Sequence, residues 1–80
     1  MPTVFTDGPY RFFFYSDEGS EPPHIHVRRD DKVVKFWLSP VLLQNNGGFS
    51  RSDVREIQTI VKERQEEIIE AWNDFFGQED

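Results

Sequence analysis

The spacing of apolar residues changes once along this chain. Between Tyr10 and Leu38 they tend to recur at every second position, as in Ile25 and Val27 or Val34, Phe36 and Leu38. After Ser50 they recur at three or four: Val54, Ile57, Val61, then Ile68, Trp72 and Phe75. A strand shows one face at every second residue and a helix at every 3.6, so the chain divides into a sheet-forming half and a helix-forming half.

The turn signals fit that division. Tyr10–Tyr15 is an aromatic run between Asp7-Gly8-Pro9 and Ser16-Asp17-Glu18-Gly19-Ser20, both turn-forming clusters. A short strand over Thr3–Thr6 pairs with it through the first cluster. His24–Arg29 follows Pro22-Pro23, which fixes its approach and is a candidate for a cis bond. Asp30-Asp31 is the hairpin tip, and Lys32–Leu38 the returning strand. Pro40 ends that strand, leaving Val41-Leu42-Leu43 as a short apolar piece before the Asn45–Gly48 loop. A helix is predicted over Arg51–Phe76, with Ser50 as N-cap, Asp53 in the first turn and Gly77 as the stop. The predicted architecture is α+β: an antiparallel meander of about four strands, with one long C-terminal helix packed on one face. With 80 residues, the chain has length for one domain, residues 1–80.

Several function classes drop out on composition. There is no cysteine, hence no disulfide, thiolate site or thiol catalysis. The longest apolar run, Phe12–Tyr15, is far below the ~18 residues that span a bilayer, and Met1–Val4 lacks the pattern of a signal peptide. A cytoplasmic protein with no membrane partner is the expectation. The net charge is −6, from 15 acids against 9 bases, so the chain as a whole is no polyanion binder.

Alternation nevertheless sorts one sheet face into a cationic and aromatic surface. If Ile25 and Val27 face the helix with Tyr10, Phe12, Phe14, Val34, Phe36 and Leu38, the other face collects Arg11, Phe13, Tyr15, His24, His26, Arg28, Lys35 and Trp37. Arg11, Arg28 and Lys35 there suit phosphate, and Trp37 or Tyr15 suits a stacked base. His24 or His26 supplies proton transfer, so His24, His26, Arg11, Glu21 and Tyr15 are the candidate catalytic set for RNA cleavage without a metal. Alternation on a half-solvated sheet also needs no function at all. The His-x-His spacing points two imidazoles the same way, as metal ligands require, with Glu21 or Asp17 as third ligand. Only two good ligands are evident, however, so no metal and no cofactor is expected. Glu21 beside the imidazoles would raise their pKa.

The helix bears on partners. Twenty-six residues span ~39 Å, more than the roughly 30 Å diameter of so small a domain, so part of it overhangs or meets something else. Trp72, Phe75 and Phe76 at its end are a candidate partner or dimer surface, unless the sheet or Val4 and Phe5 cover them. Glu63, Glu66, Glu67, Glu70 and Asp74 crowd the C-terminal half, which the helix dipole disfavours; this marks a surface for a basic partner or simply a solvated face.

Tyr10–Ser16 followed by Glu21-Pro22-Pro23-His24-Ile25-His26-Val27 resembles a small bacterial family, domain-of-unknown-function family 4160. Lys35–Leu38 with Pro40, Gly48-Phe49-Ser50, Ala71-Trp72 and Phe75-Phe76-Gly77 fit the same pattern. The resemblance implies a stand-alone cytoplasmic protein, often encoded beside a second small protein of family 2442 in a toxin–antitoxin-like pair. Its motif positions here are Arg11, Tyr15, Glu21, His24 and His26. Two roles follow as expectations. One is a toxin-like component that binds or cleaves RNA, its acidic helix contacting the antitoxin. The other is a non-catalytic module that docks a protein partner, or itself, through the helix end and sheet edge.

Overall fold

The computed structural model describes residues 3–77. Its sheet has five strands in sequence order: β1 (Thr3–Asp7), β2 (Tyr10–Phe13), β3 (His24–Arg29), β4 (Lys32–Leu38) and β5 (Val41–Asn45). Every neighbouring pair is antiparallel. Two helices follow, α1 (Arg51–Glu63) and α2 (Gln65–Phe76). The α+β class and antiparallel meander agree with the sequence; the counts of about four strands and one helix do not.

The extra strand is Val41-Leu42-Leu43 and the two residues after it. Pro40 does end β4, but the Ser39-Pro40 turn sends the chain straight back, so that Val41 faces Leu38 and Leu42 faces Trp37. The Ser39–Pro40 bond is cis, and the bonds preceding Pro22 and Pro23 are not. β5 ends in a loop where Asn45 and Asn46 accept hydrogen bonds from the N–H groups of Gly47 and Gly48. Gly47 has φ +60, and a Cβ there would lie 1.8 Å from the Val33 carbonyl oxygen, so only glycine fits.

The single helix divides at Arg64, with φ −113 and ψ 23. The hydrogen-bond ladder runs through the bend: Arg64 N–H donates to Ile60 O and Ile68 N–H to Arg64 O, both at 3.0 Å. The bend falls where the apolar stripe lapses, between Val61 and Ile68. Gln65 there donates to the Leu38 carbonyl at 2.6 Å, and the Arg64 guanidinium covers Phe5, 3.6 Å from the ring centroid. Changing direction at this point carries α1 over β4 and β5 and α2 over β3, following the sheet. The ends are as the sequence predicts: Ser50 accepts from the Asp53 N–H, and Gly77 closes α2 with φ 64 and ψ 50.

The core between sheet and helices holds Phe12, Ile25, Val27, Val34, Phe36 and Leu38 on one side. Ile57, Val61, Ile68 and Trp72 meet them from the other, as the alternation requires. Full burial of such side chains stabilises by roughly 1.5–3 kcal/mol each. Phe49 joins this core at one end. Its ring lies beneath Arg29, whose guanidinium is 5.3 Å from the centroid and pairs with Asp53 at 2.9 Å.

Candidate functional site

The face opposite the helices is not open along its whole length. β2 stops at Phe13, and the ten residues before β3 fold back over that end of the sheet. Two turns bend this loop: the Glu18 N–H reaches Tyr15 O at 3.4 Å, and the Glu21 N–H reaches Glu18 O at 3.1 Å. Gly19 rests on the ring of Phe76. The loop thereby presents the Glu18 side chain to β3.

Register places the expected residues on this face together. Phe13 pairs with His26, His26 with Lys35, His24 with Trp37, and Arg11 with Arg28. The expectation that both imidazoles stand in water beside Arg11 is wrong, because the loop covers them. His24 is completely buried and His26 is 6% exposed. Phe13 stacks on His26 at 5.6 Å and Tyr15 meets it edge-on at 4.5 Å. His24 lies beyond the end of β2, against Trp37 at 5.6 Å, and Trp72 of α2 approaches it at 4.9 Å.

Both imidazoles point at one oxygen. Glu18 Oε1 is 2.7 Å from His24 Nε2 and 2.8 Å from His26 Nε2. His24 Nδ1 is 2.9 Å from the Pro22 carbonyl, which can only accept, so that nitrogen carries a hydrogen. The three ligand-type atoms lie within 4.8 Å of one another. The carboxylate beside the histidines is therefore Glu18, not Glu21 or Asp17. Glu21 Oε1 lies 3.7 Å from His24 Nδ1 but is engaged by Lys35 Nζ at 2.9 Å. Among Asp17, Glu18 and Glu21 nothing in the sequence singles out Glu18; the fold of the loop does.

The electrostatics follow the burial. Burial pushes the Glu18 carboxyl up, but hydrogen bonds from His24 and His26, with their charges, outweigh it and hold the group below its ordinary value. Burial pushes His26 down, Glu18 opposes this, and the charges of His24 and Lys35 add to it, so the ring stays below its ordinary pKa. The upward shift expected from a neighbouring carboxylate does not occur at His26.

Arg11 and Arg28 stay outside this cluster. Arg11 covers Phe13 at 4.8 Å and donates to Thr3, while Arg28 donates to the Asp30 carbonyl. Among the described residues neither arginine has a carboxylate partner. Lys35 sits 4.7 Å from the Trp37 centroid. Trp72 is no partner surface, because the chain buries it, and Phe76 is half-buried. Trp72 is buried against Phe14 and His24, and Phe76 packs under Gly19; Phe75 alone of the three is largely exposed, at 43%. Val4 and Phe5 pack on the core elsewhere, Phe5 stacked on Phe12 at 4.3 Å.

Residues 10–73 match a domain of unknown function, DUF4160. The chain belongs to that family. The match takes in β2 to α2, and so the loop, both imidazoles and the Glu18 carboxylate. No curated protein and no solved structure matches.

A second surface went unrecognised in the sequence. Pro22, Pro23, Trp37, Ser39, Pro40 and Leu42 line an apolar pocket of about 260 Å³. It adjoins β5, which among the described residues pairs with β4 alone. Leu42 is 55% exposed and Leu43 44%. No residue from Ser39 to Ser50 is charged.

Proposed function

We propose that the protein is a non-catalytic binding module that holds a small, basic protein by adding one of its strands to β5. An apolar side chain of that strand seats in the pocket between Pro22, Trp37 and Leu42. One observation carries this reading: an uncharged edge strand with two leucines about half exposed. Edge strands invite pairing, and soluble proteins guard them with charge or cover. The β1 edge is guarded by Asp7 and by Arg64 over Phe5. On β5 a bulge interrupts the pairing between Phe36 and Lys35, toward its last residues, while Val41–Leu43 remains regular. Backbone hydrogen bonds along such an edge supply affinity, and pockets for alternate side chains supply selectivity. The partner's charge follows from the chain's own −6, with Glu63, Glu66, Glu67, Glu70 and Asp74 all exposed; a second copy would be repelled and a basic protein attracted. The second small protein implied by the family resemblance, in a toxin–antitoxin-like pair, is the partner to test.

RNA cleavage fares less well. A general base must come within about 2.6–3.2 Å of the proton it takes, and Glu18 occupies that position for both imidazoles. Phosphate contact without cleavage is a second reading, favoured by Arg11 facing Arg28 across β2 and β3. Like charges so placed repel, and an anion between them relieves the repulsion.

Calorimetry with the purified neighbour protein tests the proposal. Leu42→Lys is expected to weaken binding at least about tenfold, as loss of a central anchor does, while Arg28→Gln leaves it unchanged. Equal affinity for wild type and Leu42→Lys contradicts docking at β5. RNA binding whose salt dependence falls by about one ion with Arg28→Gln would favour the second reading.

A further inference from the structure

The structure assigns a divalent metal site of the zinc class to Glu18, His24 and His26, with both Nε2 atoms and the Glu18 carboxylate as ligands. The hydrogen on His24 Nδ1, held by the Pro22 carbonyl at 2.9 Å, leaves the lone pair of the neutral ring on Nε2. That lone pair faces Glu18 Oε1 at 2.7 Å, an atom that only accepts when ionised. Two acceptors so close need a positive charge between them. A shared proton supplies it either as an imidazolium–carboxylate pair under the loop or as a carboxylic acid donating to the ring. A metal ion supplies it and, with the hydrogen of His26 on Nδ1, takes a second lone pair at His26 Nε2, 2.8 Å from the same oxygen.

The surroundings are those of a metal site. A ligating imidazole characteristically donates its other N–H to a backbone carbonyl or a carboxylate, which fixes ring and tautomer. Pro22 O does this for His24. Pro22 and Pro23 stiffen the segment that carries this carbonyl. Two histidines and one carboxylate, with no thiolate, is a donor set of zinc enzymes, and it leaves a coordination position for water. An aromatic wall of Phe13, Tyr15, Trp37 and Trp72 limits water on the other sides. Access is through Glu18, whose side chain is 21% exposed. Tetrahedral zinc keeps its ligands about 3.3 Å apart, so each N···O contact must open by about half an ångström; a loop carboxylate can make that movement. Lys35, which faces His26 across β3 and β4, is drawn aside by Glu21 at 2.9 Å.

Cobalt(II) chloride, added to the full chain after chelator treatment, is the probe. The expected result is one ion bound per chain, with the visible absorption of low-coordinate cobalt, and displacement by zinc chloride. Glu18→Gln, its fold checked by circular dichroism, is expected to lower the affinity at least about tenfold, and Asp17→Asn, at an exposed position of the same loop, to leave it unchanged. Should Glu18→Gln not fold, ring-nitrogen NMR of the wild type on zinc addition decides, with the Nε2 signals of both histidines expected to shift. Absence of binding at millimolar cobalt, equal affinity in a folded Glu18→Gln, or Nε2 signals that do not move would overturn the assignment and leave a proton in the cluster.

Discussion

Gly19 and Phe76 meet so closely that a Cβ on Gly19 would lie 2.6 Å from Cδ1 of the ring. This contact seats the β2–β3 loop on the end of α2 and sets Glu18, one residue earlier, over the two imidazoles. Gly19→Ala is therefore expected to displace either the ring or the loop, costing about 1–3 kcal/mol as overpacking does. Urea unfolding monitored by tryptophan fluorescence measures the loss. An unchanged midpoint would mean that the loop is not held there.

Trp72 and Phe75 are three residues apart and have different roles. Trp72 is buried between Phe14, His24 and Phe76. Trp72→Ala is expected to destabilise the fold by about 3–5 kcal/mol. Phe75→Ala, at an exposed position, is expected to cost under about 1 kcal/mol. Comparing their denaturation midpoints separates a core residue from a surface one. Similar losses would contradict the burial assigned to α2.

Stability is expected to decline at both ends of the pH range, for nameable reasons. The Arg29 hydrogen bond, with help from Ser50, holds the Asp53 carboxyl below its ordinary value of 3.8. A depressed folded pKa contributes stability above the unfolded value, and it is lost as pH falls through the folded one. Asp53→Asn should flatten the acid limb below about pH 4. At the other end, burial and the Glu56 hydrogen bond raise the Tyr10 phenol above 10.0. Its contribution is complete below pH 10.0 and is lost as pH rises through the raised folded value. Tyr10→Phe should remove that alkaline decline. Urea midpoints measured across pH check both limbs.

Alternation made the core legible: it set Phe12, Ile25, Val27, Val34, Phe36 and Leu38 on one face without reference to any contact. It also grouped His24, His26, Lys35 and Trp37 on the other. What it could not show is the path of the loop between Tyr15 and Pro23, which depends on Gly19 reaching Phe76, far along the chain. Exposure of the imidazoles, the identity of Glu18 and the covering of Trp72 all turn on that one path. β5 was missed for a local reason: Val41-Leu42-Leu43 is too short and too uniformly apolar to show a period of two, and it follows a proline. The division at Arg64 was half visible, as a lapse in the apolar stripe without a helix-breaking residue.

Amide hydrogen exchange on the full chain, alone and with the neighbour protein, tests docking at β5 most directly. The account predicts that backbone N–H groups of Val41–Asn45 not bonded to β4 slow markedly in the complex, while those of Tyr10–Phe13 do not change. Slowing confined to Tyr10–Phe13 and His24–Arg29, with β5 exchanging as in the free chain, would contradict it.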